Sequence, residues 1–326
     1  MKKVDIYGTL GPSCDDTAVL KEMFDAGMTG IRINLSHVML LDCIESISRI
    51  HSAARSSKIV PQILIDMQGP EIRIGRFAGE MTLEDGEISF IGKQGIPLDG
   101  NILDHLDAGD ELLLDDGRIL AEVIEKSQGT ARITIKRGGT LLQRKSLAVR
   151  GKEIVLPAMT EDDRSNLLQA GEIGITGIMQ PFVRSREDLL EVKRVLGDFG
   201  IKGLKVFAKI ENAAGIRNIE SYMDVCDEIV IARGDLGNSM PLWELPGVQK
   251  KIAGICNEHG MPFMVVTQML TSMEKNKVPT RAEVSDIYNA VADGASSVMV
   301  TGETAIGDYP VEVIRYLANT VKEALK

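Results

Sequence analysis

The sequence predicts an α/β protein, a (β/α)8 TIM barrel with a small, β-barrel-like lid domain inserted after the third strand. Three observations predict it. Short apolar, strand-like runs alternate with helix-like segments at both ends of the chain. That rhythm breaks between residues 74 and 150, where brief alternating stretches are separated by the turn signals EDGE, DDG, SQGT and RGG. Three strand–helix units precede the break and five follow it, and eight such units close a barrel. An open doubly wound sheet is the alternative, disfavoured because no GxGxxG turn follows the first strand.

Taken in order, DIYGTL reads as the first strand and SCDDTAVLKEMFDAG as a helix, with Ser13 as its cap and Gly27 as its stop. TGIRINLS is the second strand, CIESISRIHSAARSS its helix and PQILIDM the third strand. Within the insertion, EISFIG, ELLLDDGRILAEVIE and TARITIKR have the short alternating pattern of antiparallel strands. TEDD at 160–163 then reads as a helix start. The rhythm resumes with GITGIMQPFV before REDLLEVKRVLGDFG, and LKVFAKI before AAGIRNIESYMDV. It continues with DEIVIARGD, MPFMVVTQ and SSVMVTGE, each followed by a helix. The expected domains are 1–73 with 151–326 for the barrel, and 74–150 for the insertion.

Bulk properties narrow the function classes. The chain has 326 residues, 44% hydrophobic and 26% charged, as an ordinary globular protein does. A net charge of -10 argues against nucleic acid, and 4% aromatics argue against a stacking platform for single strands. Cys14, Cys43, Cys226 and Cys256 form no CxxC pair, which suits reduced thiols in the cytoplasm. MKKVDIYGTL lacks the apolar core of a signal peptide, and no run is long enough to span a bilayer. The expectation is a cytoplasmic protein with neither nucleic acid nor membrane as partner.

Catalytic groups of such barrels sit at the C-terminal ends of the strands. Those ends carry Arg32, Asn34 and Ser36, then Asp66, then Lys209 and Glu211, then Arg233, Gly234 and Asp235. Thr267 and Gln268 follow, and the last strand runs into Thr301, Gly302, Glu303 and Thr304. Strand side chains alternate, so Lys209 and Glu211 share a face. Buried charges must compensate each other or a ligand. Glu211 and Asp235 are oxygen ligands that suit Mg2+ or Mn2+ better than Zn2+. Arg32 and Lys209 would face an anion, and the ARGDLG turn offers backbone N–H groups to a carboxylate or phosphate. That combination points to phosphoryl transfer or enolate chemistry. Other readings stay open for single residues. Asp66 pairs structurally with Arg32 or binds an ion, and Thr267 acts at the site or caps a helix.

The stretches YGTLGPSC, GIRINLSH, LIDMQGPEIRIG, LLLDDGRI, KIENAAGI, ARGDLG, VVTQMLTSM, TRAEVSDIYNAVADGA and TGETAIGDYPVE occur in that order, and over nearly its whole length the chain resembles the pyruvate kinase family. The resemblance implies a glycolytic, cytoplasmic phosphotransferase that moves a phosphoryl group from phosphoenolpyruvate to ADP, giving pyruvate and ATP. It implies Mg2+ (or Mn2+) on Glu211 and Asp235, with Lys209 and Arg32 on the transferred phosphoryl group. Gly234, Asp235 and Thr267 would hold the substrate carboxylate, Thr267 on the side from which the enolate is protonated. Asn34, Ser36, Asp66 and the Met67 carbonyl would form a K+ site, and Glu71 is the residue type of K+-dependent members. His37, Arg73, Asp116 and Lys145 would approach the nucleotide, and the barrel would serve a homo-oligomer.

Departures accompany the resemblance. Gln68 stands where the family has a lysine, Pro181 where it has a serine near the phosphoryl group, and Ala148 where it has an asparagine. VMLLDC follows His37 in place of a glycine-containing turn, and NSMP follows ARGDLG. The family's C-terminal domain has no counterpart in the sequence, which leads one to expect loss of its effector site. Two alternatives therefore accompany the kinase expectation: a Mg2+-dependent pyruvate-forming lyase or decarboxylase, and a non-catalytic regulatory paralogue.

Overall fold

The computed structural model describes residues 3–36, 38–115, 117–152, 154 and 156–326. Eight parallel strands close a barrel in chain order: β1 Asp5–Thr9, β2 Gly30–Asn34, β3 Gln62–Asp66, β4 Gly177–Gln180, β5 Lys205–Ile210, β6 Glu228–Ala232, β7 Phe263–Val266 and β8 Ser297–Met299. β1 pairs with β8 as well as β2, which completes the ring. Strands buried on both faces explain the continuous apolar runs in the sequence. Inward residues Tyr7, Leu64, Met179, Phe207, Val230, Met264 and Met299 fill the barrel. Ile31, Ile63, Ile178, Ile229 and Val298 belong to the larger core that includes the surrounding helices.

Two strand glycines make this interior possible. A Cβ on Gly30 would come within 2.4 Å of the Tyr7 ring, and one on Gly177 within 2.8 Å of both Phe207 and Leu64. Glycine in a strand here marks close approach of a large neighbour.

The chain divides into two compact units, Met1–Gly69 with Pro157–Lys326, and Pro70–Leu156. The second contains a six-stranded sheet and a two-stranded sheet pairing Glu80–Leu83 with Gly139–Leu142. Its core is its own, built on Ile91, Leu112, Leu114, Ile133, Ile135 and Leu141. Residues 70–73 belong with it because Leu147 N–H donates to the Ile72 carbonyl and Ile74 N–H to the Lys145 carbonyl. The unit therefore starts at Pro70, ahead of the expected 74, and ends at Leu156, past the expected 150.

Two local expectations are corrected. The first helix is Thr17–Asp25, capped by Asp16, whose side chain accepts from the Ala18 and Val19 amides. Ser13 is instead held upstream, its N–H donating to the Ala305 carbonyl. The helix expected over 213–225 is a short helix, Ala213–Arg217, followed by two 3-10 turns. Tyr222 explains the break: its buried hydroxyl donates to the Gly215 carbonyl, fixing the chain in a non-helical path. Thr160 and Asp163 do start a helix as a reciprocal capping box. Asp163 does more, also accepting from the Gln68 and Gly69 amides at 2.8 and 2.9 Å. Among the described residues, no helix is long and apolar enough to cross a membrane.

At the N-terminal end of the barrel, Glu228 opens β6 and accepts from the hydroxyls of Ser297 (2.5 Å) and Ser296 (3.1 Å). Burial, only partly offset by these serines, pushes its carboxyl up from 4.5 to about 7. Between those values the folded chain holds a proton that the unfolded chain has released. Stability from this group therefore falls as pH rises through the window and stays low above it. Glu228→Gln keeps an acceptor for Ser297 and removes the titration. Urea unfolding should show the variant gaining about 1–3 kcal/mol on the parent at pH 8 and little at pH 4.5. The same difference at both pH values would contradict this.

Candidate active site

Strand alternation brings a set of charges together at the C-terminal mouth of the barrel. Arg32 on β2 donates to Asp66 at the end of β3, with Nη2 2.6 Å and Nε 2.9 Å from Oδ2. Lys209 Nζ on β5 lies 3.2 Å from both Asp66 oxygens and 2.9 Å from Glu211 Oε1. The Glu211 side chain is 1% exposed and that of Lys209 12%. Lys209 and Glu211 thus share a face, and Asp66 takes the structural pairing with Arg32.

Each titration shift has a cause. Burial alone would lower Lys209, but Asp66 and Glu211 outweigh it and hold its ammonium well above the ordinary value. Burial alone would raise Asp66, but Lys209 and Arg32 hold it below the ordinary carboxylate range. Glu211 goes the other way. Burial, reinforced by Asp235 and Asp66, outweighs the pull of Lys209 and pushes it up to about 7. Glu211 thus feels Asp66 and Asp235 as well as Lys209, and Lys209 feels all three carboxylates and Arg32. Carboxylates gathered this closely repel one another, and a divalent cation would relieve that repulsion.

The donor set fits such a cation. Glu211 Oε2 accepts from the Phe182 amide at 2.8 Å, which orients the carboxylate and leaves lone pairs on both oxygens. Phe182 makes this bond from a left-handed backbone, φ 51°, an unusual state for a bulky residue. Among the described residues no three His, Cys, Asp or Glu side chains gather as a cage. A hard cation on Glu211 and Asp235 would complete its shell with water and substrate oxygens, as Mg2+ or Mn2+ does.

Beside the charges lies a short helix. Gly234 and Asp235 lie in the first turn of this helix, Arg233–Asn238, directly after β6. A Cβ on Gly234 would lie 3.1 Å from Thr267 Cγ2, so the Thr267 side chain covers this backbone. Thr267 does not cap a helix. It is left-handed at φ 77°, as is Gln268 at 56°, and the next helical turn begins only at Thr271.

The remaining candidates fall in distinct places. Asn34 and Asp66 are register partners on β2 and β3, the Asn34 side chain accepts from Ser36 N–H, and buried Met67 follows Asp66. Arg73 and Lys145 lie on neighbouring segments of the inserted unit, where Arg73 bonds Glu71 and the Arg144 carbonyl, and Lys145 bonds Asp115. His37 and Asp116 lie outside the described residues. The polar end of β8 does not join the charge cluster. Thr304 bonds the Thr9 backbone, and Glu303 accepts from the Leu270 and Thr301 amides. The Phe182 amide and the bonding of Arg233 escaped sequence reasoning. The only signal was the position of Arg233 just before the Gly-Asp pair.

Asp66 holds both cations, so removing its charge should be expensive. Asp66→Asn is expected to lose about 3–5 kcal/mol in urea unfolding without ligands. A loss below about 1 kcal/mol would show that Arg32 and Lys209 find other partners.

The family model described as "Pyruvate kinase, barrel domain" matches residues 1–314. A protein named pyruvate kinase from Methylorubrum extorquens is 38% identical over 322 residues, covering 96% of this chain and 66% of that protein. One from Geobacillus stearothermophilus is 37% identical, covering 96% of this chain and 55% of that protein. A third, from Clostridium perfringens, is 36% identical, covering 99% of this chain and 70% of that protein. The chain thus spans between 55% and 70% of the length of these relatives. With its closed barrel, inserted β-rich unit and the match of residues 1–314, the chain belongs to the pyruvate kinase family.

Proposed function

We propose that the barrel transfers a phosphoryl group from phosphoenolpyruvate to ADP, giving ATP and the enolate of pyruvate, which is then protonated. The observation that carries this reading is the buried cluster of Lys209, Glu211, Asp66 and Arg32 at the barrel mouth, with Asp235 near enough to raise Glu211. Phosphoryl transfer is catalysed by positioning and by charge placed where charge moves. Lys209 and Arg32 would face the transferred group, their positions fixed by Asp66. Glu211 and Asp235 would hold Mg2+ or Mn2+. When bound, the ion supplies positive charge to the phosphoryl and enolate oxygens.

The Gly234–Asp235 backbone would receive the substrate carboxylate, with the Thr267 hydroxyl beside it on the protonation side. Asn34, Ser36, Asp66 and the Met67 carbonyl present oxygens suited to K+. Arg73 and Lys145, with His37 and Asp116, would contact the nucleotide, and the inserted unit would act as a lid that excludes water. A cytoplasmic, glycolytic setting and a homo-oligomer belong to the same reading.

One observation favours a second reading. Pro181 packs against Gly69, where a Cβ would lie 2.3 Å from Pro181 Cγ, and the backbone N–H of Gln68 donates to Asp163. Pro181 offers no side-chain donor where the family resemblance places a serine. A Mg2+-dependent, pyruvate-forming lyase or decarboxylase would keep Glu211, Asp235 and Thr267 and dispense with ADP.

The test is pyruvate release from phosphoenolpyruvate by the chain alone, omitting ADP, Mg2+ and K+ in turn. Release that needs ADP and Mg2+ supports the kinase, and its absence with intact Mg2+-dependent oxalate binding supports the second reading. Replacing K+ by Na+ should depress the rate, and equal rates would remove the ion site from the account. Lys209→Met should lose about 10^3-fold in rate while still binding Mg2+. A near-parental rate would show that Lys209 does not face the moving phosphoryl group.

A further inference from the structure

Arg233 is a buried cation that turns away from the carboxylate cluster. It opens the helix after β6, yet its guanidinium bonds the turn after β7. Nε and Nη2 donate to the Thr267 carbonyl at 3.0 and 2.7 Å, and Nη2 also donates to the Gln268 carbonyl at 3.0 Å. Nη1 is anchored on Asp286 at 2.7 Å. The carbonyls it grips belong to the two consecutive left-handed residues, Thr267 and Gln268. That conformation is costly for a β-branched residue and persists only where the surroundings enforce it. On the far side of the turn, buried Glu303 accepts from the Leu270 amide at 3.0 Å. Two buried charges of opposite sign thus hold the carbonyls and the following N–H of one short strained segment.

We propose that Arg233 is a positioning residue. By clamping the Thr267 and Gln268 carbonyls, it fixes the left-handed turn that lays the Thr267 side chain over Gly234. For its functional half the inference rests on the reading above, in which the C3 of the enolate gains a proton on the Thr267 side as C2–O becomes the ketone. The geometry demands a guanidinium. One planar group bonds two carbonyls through two nitrogens while the third nitrogen takes a carboxylate, and an ammonium cannot reproduce that fork.

The experiment compares Arg233→Lys with the parent chain, each with and without Thr267→Ala. It reads pyruvate formation, the Mg2+-dependent exchange of pyruvate methyl protons with deuterated water, and hydrogen exchange of the peptide 264–272. Arg233→Lys should lower kcat and methyl exchange by about 10–100-fold, with KM for phosphoenolpyruvate within about threefold. Hydrogen exchange of 264–272 should accelerate. In the Thr267→Ala background the same change should cost less than about threefold, because the residue through which Arg233 acts has been removed. Full additivity, or an unchanged kcat, overturns the proposal. If Arg233→Lys does not fold, Asp286→Asn loosens the anchor and should shift the same readouts in the same direction, and no shift in that variant overturns it. If the parent neither forms pyruvate nor exchanges methyl protons, the functional reading fails. Hydrogen exchange then decides the clamp alone, and unchanged protection of 264–272 overturns it.

Discussion

The Asp66 carboxylate ties the barrel mouth together. It ends β3, bonds Arg32 on β2 and Lys209 on β5, and through Lys209 reaches Glu211. A cluster this buried constrains everything near it, because each charge is tolerable only while its partners stay in place. Glu211 also lies within reach of Asp235, and on the reading proposed above a divalent cation would offset the carboxylate charge gathered here. Burial and its fellow carboxylates push Glu211 up to about 7 despite a lysine at 2.9 Å.

Around this cluster the backbone is held in uncommon conformations by specific partners. Phe182 is left-handed and gives its amide to Glu211. Thr267 and Gln268 are left-handed and give their carbonyls to Arg233. Asp163, wholly buried, takes the amides of Gln68 and Gly69 as well as capping its own helix. Strain at a site is plausible as function only when the structure enforces it, and here each case has a named buried charge enforcing it.

Much of this was legible in the sequence. Strand ends could be listed from the apolar runs, and period-two alternation alone put Lys209 and Glu211 on one face. What escaped depends on particular side-chain contacts that residue type and spacing do not specify. Ser13 and Asp16 are equally good caps by residue type. The choice falls to Asp16 because Ser13 is bonded to Ala305. AAGIRNIESYMDV has helical spacing, but the Tyr222 bond to Gly215 overrides it. Thr267 carries no sequence mark of a left-handed residue, since β-branching argues against that conformation. Arg233 looked like one more charge at a strand end, and only the fold shows it turned onto a neighbouring carbonyl pair.

The central claim is that the carboxylates of Glu211 and Asp235 at the barrel mouth form a divalent-cation site. The most direct measurement is a Mn2+ titration of the chain followed by the free-ion electron paramagnetic resonance signal, with and without oxalate, for the parent and Glu211→Gln. The account predicts a site that is displaced by Mg2+, tightened by oxalate and lost in Glu211→Gln. Mn2+ binding that survives undiminished in Glu211→Gln would contradict it.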